Sequence, residues 1–325
     1  MSIITSKASS AITLSRFIFV ITIVLLHSRI DQDIEPGIAS YFIHYFCNFN
    51  TSNDFVCHLF HPSVPVLFIL SGYLFFFNVE KLDTLTYRNK LKSRIKSLLL
   101  PFIIWTAFSI LAKIFIYKEA TFSLTYIIRS LTIDPLGVLW FIRDLMIIAI
   151  MSPMYFYITK ILKLGGVLII YLILEMLFPN QQSVWFNIYF LIGSAVAINK
   201  ITIETILEKI NYKLCLFIYF VYLSVTTVFQ IDIQIPGKSA IMLIGVLGAC
   251  MNVKQFKDGG FSTFLYFIHP YIKGIKVILI KFIPLSNDIN CIIVLLARII
   301  ATIIISLFIY KLIPNKLRSI LVGGR

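Results

Sequence analysis

Acidic residues are scarce in this chain, 15 Asp and Glu in 325 residues, and charged residues of both signs make up only 14% of it. A soluble domain of this length lacks the means to cover its surface with so little charge, so water is excluded as the main solvent. Cysteines number five, and none stands at a zinc-ligand spacing with another cysteine or histidine, so a structural metal is not expected. Internal repeats and low-complexity tracts are absent, and no stretch reads as an appended soluble domain. A cleavable leader is also missing from the reading: the first apolar run is long, carries Arg16 and His27, and has no small-x-small site before the next loop.

What is present is apolar. Hydrophobic residues make up 59% and the mean hydropathy is +0.91. A bilayer core takes about 20 apolar residues as helix, and such runs fall at roughly 10–28, 62–79, 97–117, 137–158, 164–179, 183–199, 212–230, 239–253, 261–281 and 289–312. The prediction is an all-α, polytopic membrane helix bundle of about ten transmembrane helices, forming one domain over residues 1–325. Its least secure boundary is Pro179-Asn180-Gln181-Gln182, a tight turn between two short runs.

The net charge of +14 lies in short clusters between apolar runs, which points to topology and away from nucleic acid. With the N-terminus inside, inner segments carry 18 Lys and Arg and outer ones 5, so both ends are expected in the cytoplasm. The longest outer loop, 29–61, holds Cys47 and Cys57; their spacing suits either a disulfide or two thiols.

Ionisable side chains inside a span are costly, so each is a functional candidate unless it reaches the interface. Arg16 and His27 are 11 residues apart, which on a helix is three turns plus about 20°, so they share one face about 16 Å apart along the axis. A guanidinium near the inner surface suits a phosphate or pyrophosphate; an imidazole nearer the outer surface suits removal of a hydroxyl proton. The plain alternative is a snorkelling arginine and a satisfied histidine.

Other candidates are weaker. Ser71 and Gly72 allow close helix approach or local opening of the backbone. Trp140, Arg143 and Asp144 fit an interfacial belt, with the two charges pointing about 100° apart and so toward different neighbours. His269 stands within the ninth span before Pro270, which disrupts helix hydrogen bonding; it fits a substrate- or donor-binding residue or a capped kink.

Taken in order, Arg16 with His27, Leu70-Ser71-Gly72-Tyr73, the basic run Arg94-Ile95-Lys96-Ser97-Leu98-Leu99-Leu100-Pro101-Phe102, Leu139-Trp140-Phe141 and Tyr266-Phe267-Ile268-His269-Pro270 resemble the membrane acyltransferase 3 family over roughly residues 12–272. The C-terminal Gly323-Gly324-Arg325 is similar too. The resemblance implies an enzyme of the cell inner membrane that takes an acetyl or other short acyl group from cytoplasmic acyl-CoA, a co-substrate and not a bound cofactor. It passes the group to a hydroxyl of a cell-envelope polysaccharide or its lipid-linked precursor, with O-antigen or capsule foremost.

The same resemblance casts His27 as the general base. It casts Arg16 and Arg94 as donor-binding, with Arg88, Lys92 and Lys96 assisting, and Ser71 and Gly72 as a structural or donor-site motif; Trp140, Arg143 and His269 stand as further candidates for substrate or donor binding. Unlike relatives with a C-terminal esterase-like domain, this chain stops thirteen residues after its last predicted span, so one domain is expected to do the whole reaction. Membrane lipids are expected neighbours; nothing in the residues speaks to oligomeric state. Two other classes fit the charges alone: a flippase for a lipid-linked saccharide, or an assembly subunit.

Overall fold

The computed structural model describes residues 4–27, 62–116, 118, 123–133, 135, 137–177, 182–229, 237–283 and 288–324. The predicted Cys47–Cys57 pair and outer loop lie outside the described residues. Every regular element among them is helical.

The chain opens with α1 (Ser6–His27), whose buried face runs Ala8, Ala11, Ile12, Ser15, Phe19 and Val20 up to Val24. Next comes α2 (Ser63–Phe76), in which eleven of fourteen residues are buried. Threonine-rich, basic α3 (Thr84–Arg94) leaves the membrane-like environment: none of its residues is buried, and Asp83 caps it by accepting from the Thr86 N–H at 2.7 Å. That cap, with Lys92 and Arg94 in the last turn, satisfies both ends of the helix dipole. The Thr86 hydrogen bonds hold the Asp83 carboxyl below the usual range.

A π turn, Ile95–Leu99, joins α3 to α4 (Leu100–Leu111), so that one helical run extends from Thr84 to Phe115, basic in α3 and apolar beyond it. Short α5 (Leu124–Thr132) and a 3-10 turn at Gly137–Leu139 lead into α6 (Trp140–Ile150). The run predicted as a single span over 137–158 is interrupted at Met151, because Pro153 suits a helix start and begins α7 (Ser152–Leu177). Within α7, Lys163 leaves helical geometry with φ 53°, close to the break predicted between 158 and 164.

Then follow α8 (Gln182–Ile198), α9 (Ile203–Lys209), α10 (Tyr212–Phe229) and α11 (Lys238–Cys250). The chain bends by 93° between α8 and α9, where Thr202 caps the new helix. Beyond it lie α12 (Phe261–Ile268), a 3-10 turn His269–Lys273, α13 (Gly274–Phe282), α14 (Asp288–Leu312) and α15 (Asn315–Leu321). Pro270 explains the break after α12: a proline cannot continue the α hydrogen-bond ladder.

All ten predicted apolar runs contain helix. Four helices among the described residues are long and apolar enough to cross a bilayer: Ser6–His27, Thr84–Phe115, Ser152–Leu174 and Ile292–Leu312. The bent α8–α9 pair makes a fifth if taken as one span, and α2, α11 and residues 212–226 of α10 are shorter apolar helices.

The tightest packing is between α2 and α8. A methyl added at Gly72 would overlap the Phe190 carbonyl, and one at Gly193 the Ile69 carbonyl, so two glycines bring two backbones together from opposite sides. Aromatic rings fill the space around this seam, with Phe68 stacked on Phe186 at 4.8 Å and edge-on to Phe141 at 4.9 Å. Exposed Ile, Leu and Phe on α4, α7, α10 and α14 form the outer surface, as lipid as solvent requires.

Candidate functional site

Arg16 sits midway along α1 and Arg94 ends α3, yet both line one cavity of about 740 Å³, its mouth included. Its walls come from α2 (Leu70, Ser71), α6 (Phe141, Leu145) and α12 (Ser262, Tyr266). The two guanidiniums are near enough to repel each other. Asp258, just before α12, attracts Arg16 from a distance greater than an ion pair. Among the described residues neither Arg16 nor Arg94 donates a hydrogen bond or forms an ion pair. Arg94 instead lies over the Phe75 ring at 5.3 Å, with Lys90 over the same ring at 5.8 Å. Two guanidiniums held together in an apolar cavity are unfavourable until an anion enters between them.

The Asp258-Gly259-Gly260 corner starts the helix that brings Ser262 and Thr263 to the cavity wall. Both glycines have positive φ, 57° and 87°, which only a residue without Cβ adopts without strain. The Asp258 carboxylate accepts from the Gly260 N–H at 3.1 Å and the Ser262 N–H at 3.2 Å, starting α12. Residues Ser262 and Thr263 thereby face the arginines.

Three turns farther along α1, the His27 ring lies 5.4 Å from that of His269, centroid to centroid. His269 is buried, and its Nδ1 is 3.2 Å from the Leu265 carbonyl, an atom that can only accept. Nδ1 therefore carries a proton, and in the neutral ring Nε2 is then the acceptor. Arg298 of α14, also buried, donates from Nη2 to the His27 carbonyl at 3.3 Å. That contact places a positive charge on the carbonyl end of α1.

Tyr266 links the two ends. Its ring lines the arginine cavity, lies 6.1 Å from the His269 ring, and is fixed by donation to the Val138 carbonyl at 2.5 Å. His27 itself is exposed and does not line the cavity; the rings of Tyr266 and His269 lead from the cavity to it.

A family model described as an acyltransferase domain matches residues 9–311. The chain belongs to the acyltransferase 3 family. It is accordingly a membrane protein and an enzyme that transfers acyl groups. No curated protein and no solved structure matched it.

In this acyltransferase the predicted site residues divide. Arg16, Ser71 and Arg94 come together in the cavity, and His27 meets His269 outside its lining. Gly72, predicted as donor-binding, faces the α8 backbone instead, because residues adjacent on a helix point about 100° apart and Ser71 takes the cavity side. Arg88 is exposed on α3, away from the cavity. Trp140 packs on Phe186 at 5.1 Å, and it is its neighbour Phe141 that lines the cavity.

Arg143 overturns two expectations. Its Nε and Nη2 grip Asp144 Oδ1 at 2.8 and 2.7 Å, although adjacent helix positions were predicted to engage different neighbours. A long guanidinium folds back over one residue and defeats the 100° argument. Its Nη1 donates to the Thr132 and Ile133 carbonyls at 3.0 and 2.7 Å, closing the end of α5. Those contacts engage Arg143 outside the cavity.

Sequence reasoning did not name Ser97, Ser262, Tyr266 or Arg298 as site residues, although Ser97 and Tyr266 stand inside landmark motifs. Single polar residues in apolar runs carry no periodic signal, though Asp258-Gly259-Gly260 before an apolar run is a readable helix start. Arg298 was readable by the same cost argument that singled out Arg16.

Proposed function

We propose that this acyltransferase carries an acetyl or other short acyl group from cytoplasmic acyl-CoA to a hydroxyl of a cell-envelope polysaccharide or its lipid-linked precursor, with O-antigen or capsule as the foremost acceptor. The observation that carries the reading is the Arg16–Arg94 pair in one cavity, without an ion-paired carboxylate among the described residues, with His27 farther along the helix of Arg16 and the His269 ring beside it. A pyrophosphate supplies the missing negative charge and accepts from both planar forks. The extended pantetheine arm, which separates the phosphates of CoA from its thioester, suits the separation of Arg16 and His27, about 16 Å along α1.

In this reading Arg16 and Arg94 hold the phosphates, and Ser71, Ser97 and Ser262 offer hydroxyls along the wall. His27 takes the proton from the acceptor hydroxyl as its oxygen attacks the thioester carbonyl. The new C–O bond forms, the C–S bond breaks, and CoA leaves as the thiolate, which the histidine proton then neutralises. His269 orients the His27 ring, and Arg298 holds the end of α1 beneath it. A relay through an acyl-histidine is the variant of this path, distinguished by trapping labelled enzyme in the absence of acceptor.

The reading includes a topology: one domain of ten crossings in the inner membrane with both ends cytoplasmic, as the distribution of 18 inner and 5 outer basic residues supports. Arg16 then lies toward the cytoplasm and His27 toward the outer face. The test is mass spectrometry of surface glycan from cells with and without the gene. A loss equal to one acetyl or larger acyl group per repeat is expected on deletion, restored by the wild-type gene and not by His27→Ala. Unchanged glycan, with full acyl transfer retained by His27→Ala, overturns both the reaction and the base.

A further inference from the structure

Pro101 is the second residue of α4 and has no N–H, so the Ser97 carbonyl four residues earlier lacks the donor that an α-helix supplies. The chain widens there into the π turn Ile95–Leu99, in which the Leu100 N–H reaches back to the Ile95 carbonyl. Arg94 immediately precedes this turn and Ser97 is its centre. Both line the arginine cavity.

A segment more than 200 residues later is pressed against the same turn. Gly323, with φ 77°, lies so close that a methyl in place of its hydrogen would overlap the Ser97 carbonyl and Cα. Val322 beside it is fully buried. The Trp105 Nε1–H donates to the Leu321 carbonyl at 3.2 Å, and the Gly324 N–H closes the turn on the Ser319 carbonyl at 2.6 Å. From the other side, Arg318 donates to the Lys311 and Ile313 carbonyls at 3.2 and 2.9 Å and lies over the Tyr310 ring at 4.6 Å. The segment is therefore fixed at both ends, and its one glycine-only contact falls on the turn that sets where Arg94 points.

We infer that Val322-Gly323-Gly324 is a latch for the donor cavity, with Gly323 a positioning residue that holds the 95–99 turn and so sets the grip of Arg94 on polyphosphate. The inference rests on reading that cavity as the CoA site. It separates affinity from chemistry: loosening the latch weakens donor binding and leaves the histidine end intact.

The test uses the full chain in lipid nanodiscs, comparing wild type, Gly323→Ala and Trp105→Phe. Three readouts are taken: CoA binding by calorimetry, acyl-transfer kinetics, and hydrogen exchange of residues 319–324. In Gly323→Ala, loss of roughly one hydrogen bond's worth of hold weakens CoA about fivefold, with kcat kept within about twofold and faster exchange in the tail. Trp105→Phe, which removes the indole N–H donor together with part of the ring packed on Phe267 and Tyr271, shifts the same readouts in the same direction, and serves if Gly323→Ala does not fold. Faster tail exchange with unchanged CoA binding overturns the latch, as does Gly323→Ala with unchanged exchange and binding. Inorganic pyrophosphate probes the cavity without the reaction. If it binds wild type and binds Gly323→Ala more weakly while acyl-CoA supports no transfer, the latch stands and the functional reading falls.

Discussion

The middle of α1 and its C-terminal end are built on opposite electrostatic plans. Around Arg16 the protein gathers like charges and leaves them without a hydrogen-bonded anion among the described residues; around His27 it places a buried arginine on the backbone carbonyl and a second ring against the imidazole. The first arrangement attracts a ligand, and the second fixes a side chain. One helix of 22 residues thus carries both, so that substitutions at these two places should affect different kinetic constants.

The largest effect is expected at the histidine end. His27→Ala removes the general base and should lower kcat by about 10²–10⁴-fold, with the KM for acyl-CoA little changed, as steady-state transfer assays would read. Arg16→Ala should do the reverse: loss of a charge-assisted phosphate contact, roughly 1.5–3 kcal/mol, raises the KM for acyl-CoA about 10- to 100-fold while saturating donor restores most of kcat. Arg298→Gln should reduce kcat by about tenfold without altering donor KM, because a neutral donor holds the α1 carbonyl less firmly. At the α2–α8 seam, Gly72→Ala lies outside both places. It should lower thermal stability through overpacking by about 1–3 kcal/mol, and the activity per folded molecule should change little. An activity loss there in fully folded protein would restore Gly72 to the donor site.

How much of this was legible beforehand depended on the kind of signal. Helicity was, because apolar runs of lipid-spanning length leave few other structures. The shared face of Arg16 and His27 was too, since helix periodicity acts over any distance along one element. What joins Arg16 to Arg94 was not: it needs the packing of α1 against α2 and the reach of a π turn, and neither is encoded within either helix. Ser71 and Gly72 read as one motif but face opposite ways, one to the cavity and one to the α8 backbone. Arg143 and Asp144 misled because the periodic argument treats side chains as points on a wheel, whereas a guanidinium is long enough to turn back on its neighbour. His269 was visible as an expensive residue, but its partner could be named only once α12 lay beside α1.

The division between gripping and proton transfer is tested most directly by titrating CoA into purified His27→Ala and into an Arg16→Ala/Arg94→Ala double variant, both in nanodiscs. The account predicts that the histidine variant, though inactive, binds CoA with the affinity of wild type, and that the double variant does not bind it detectably. CoA binding lost with His27 and retained without the two arginines would contradict it.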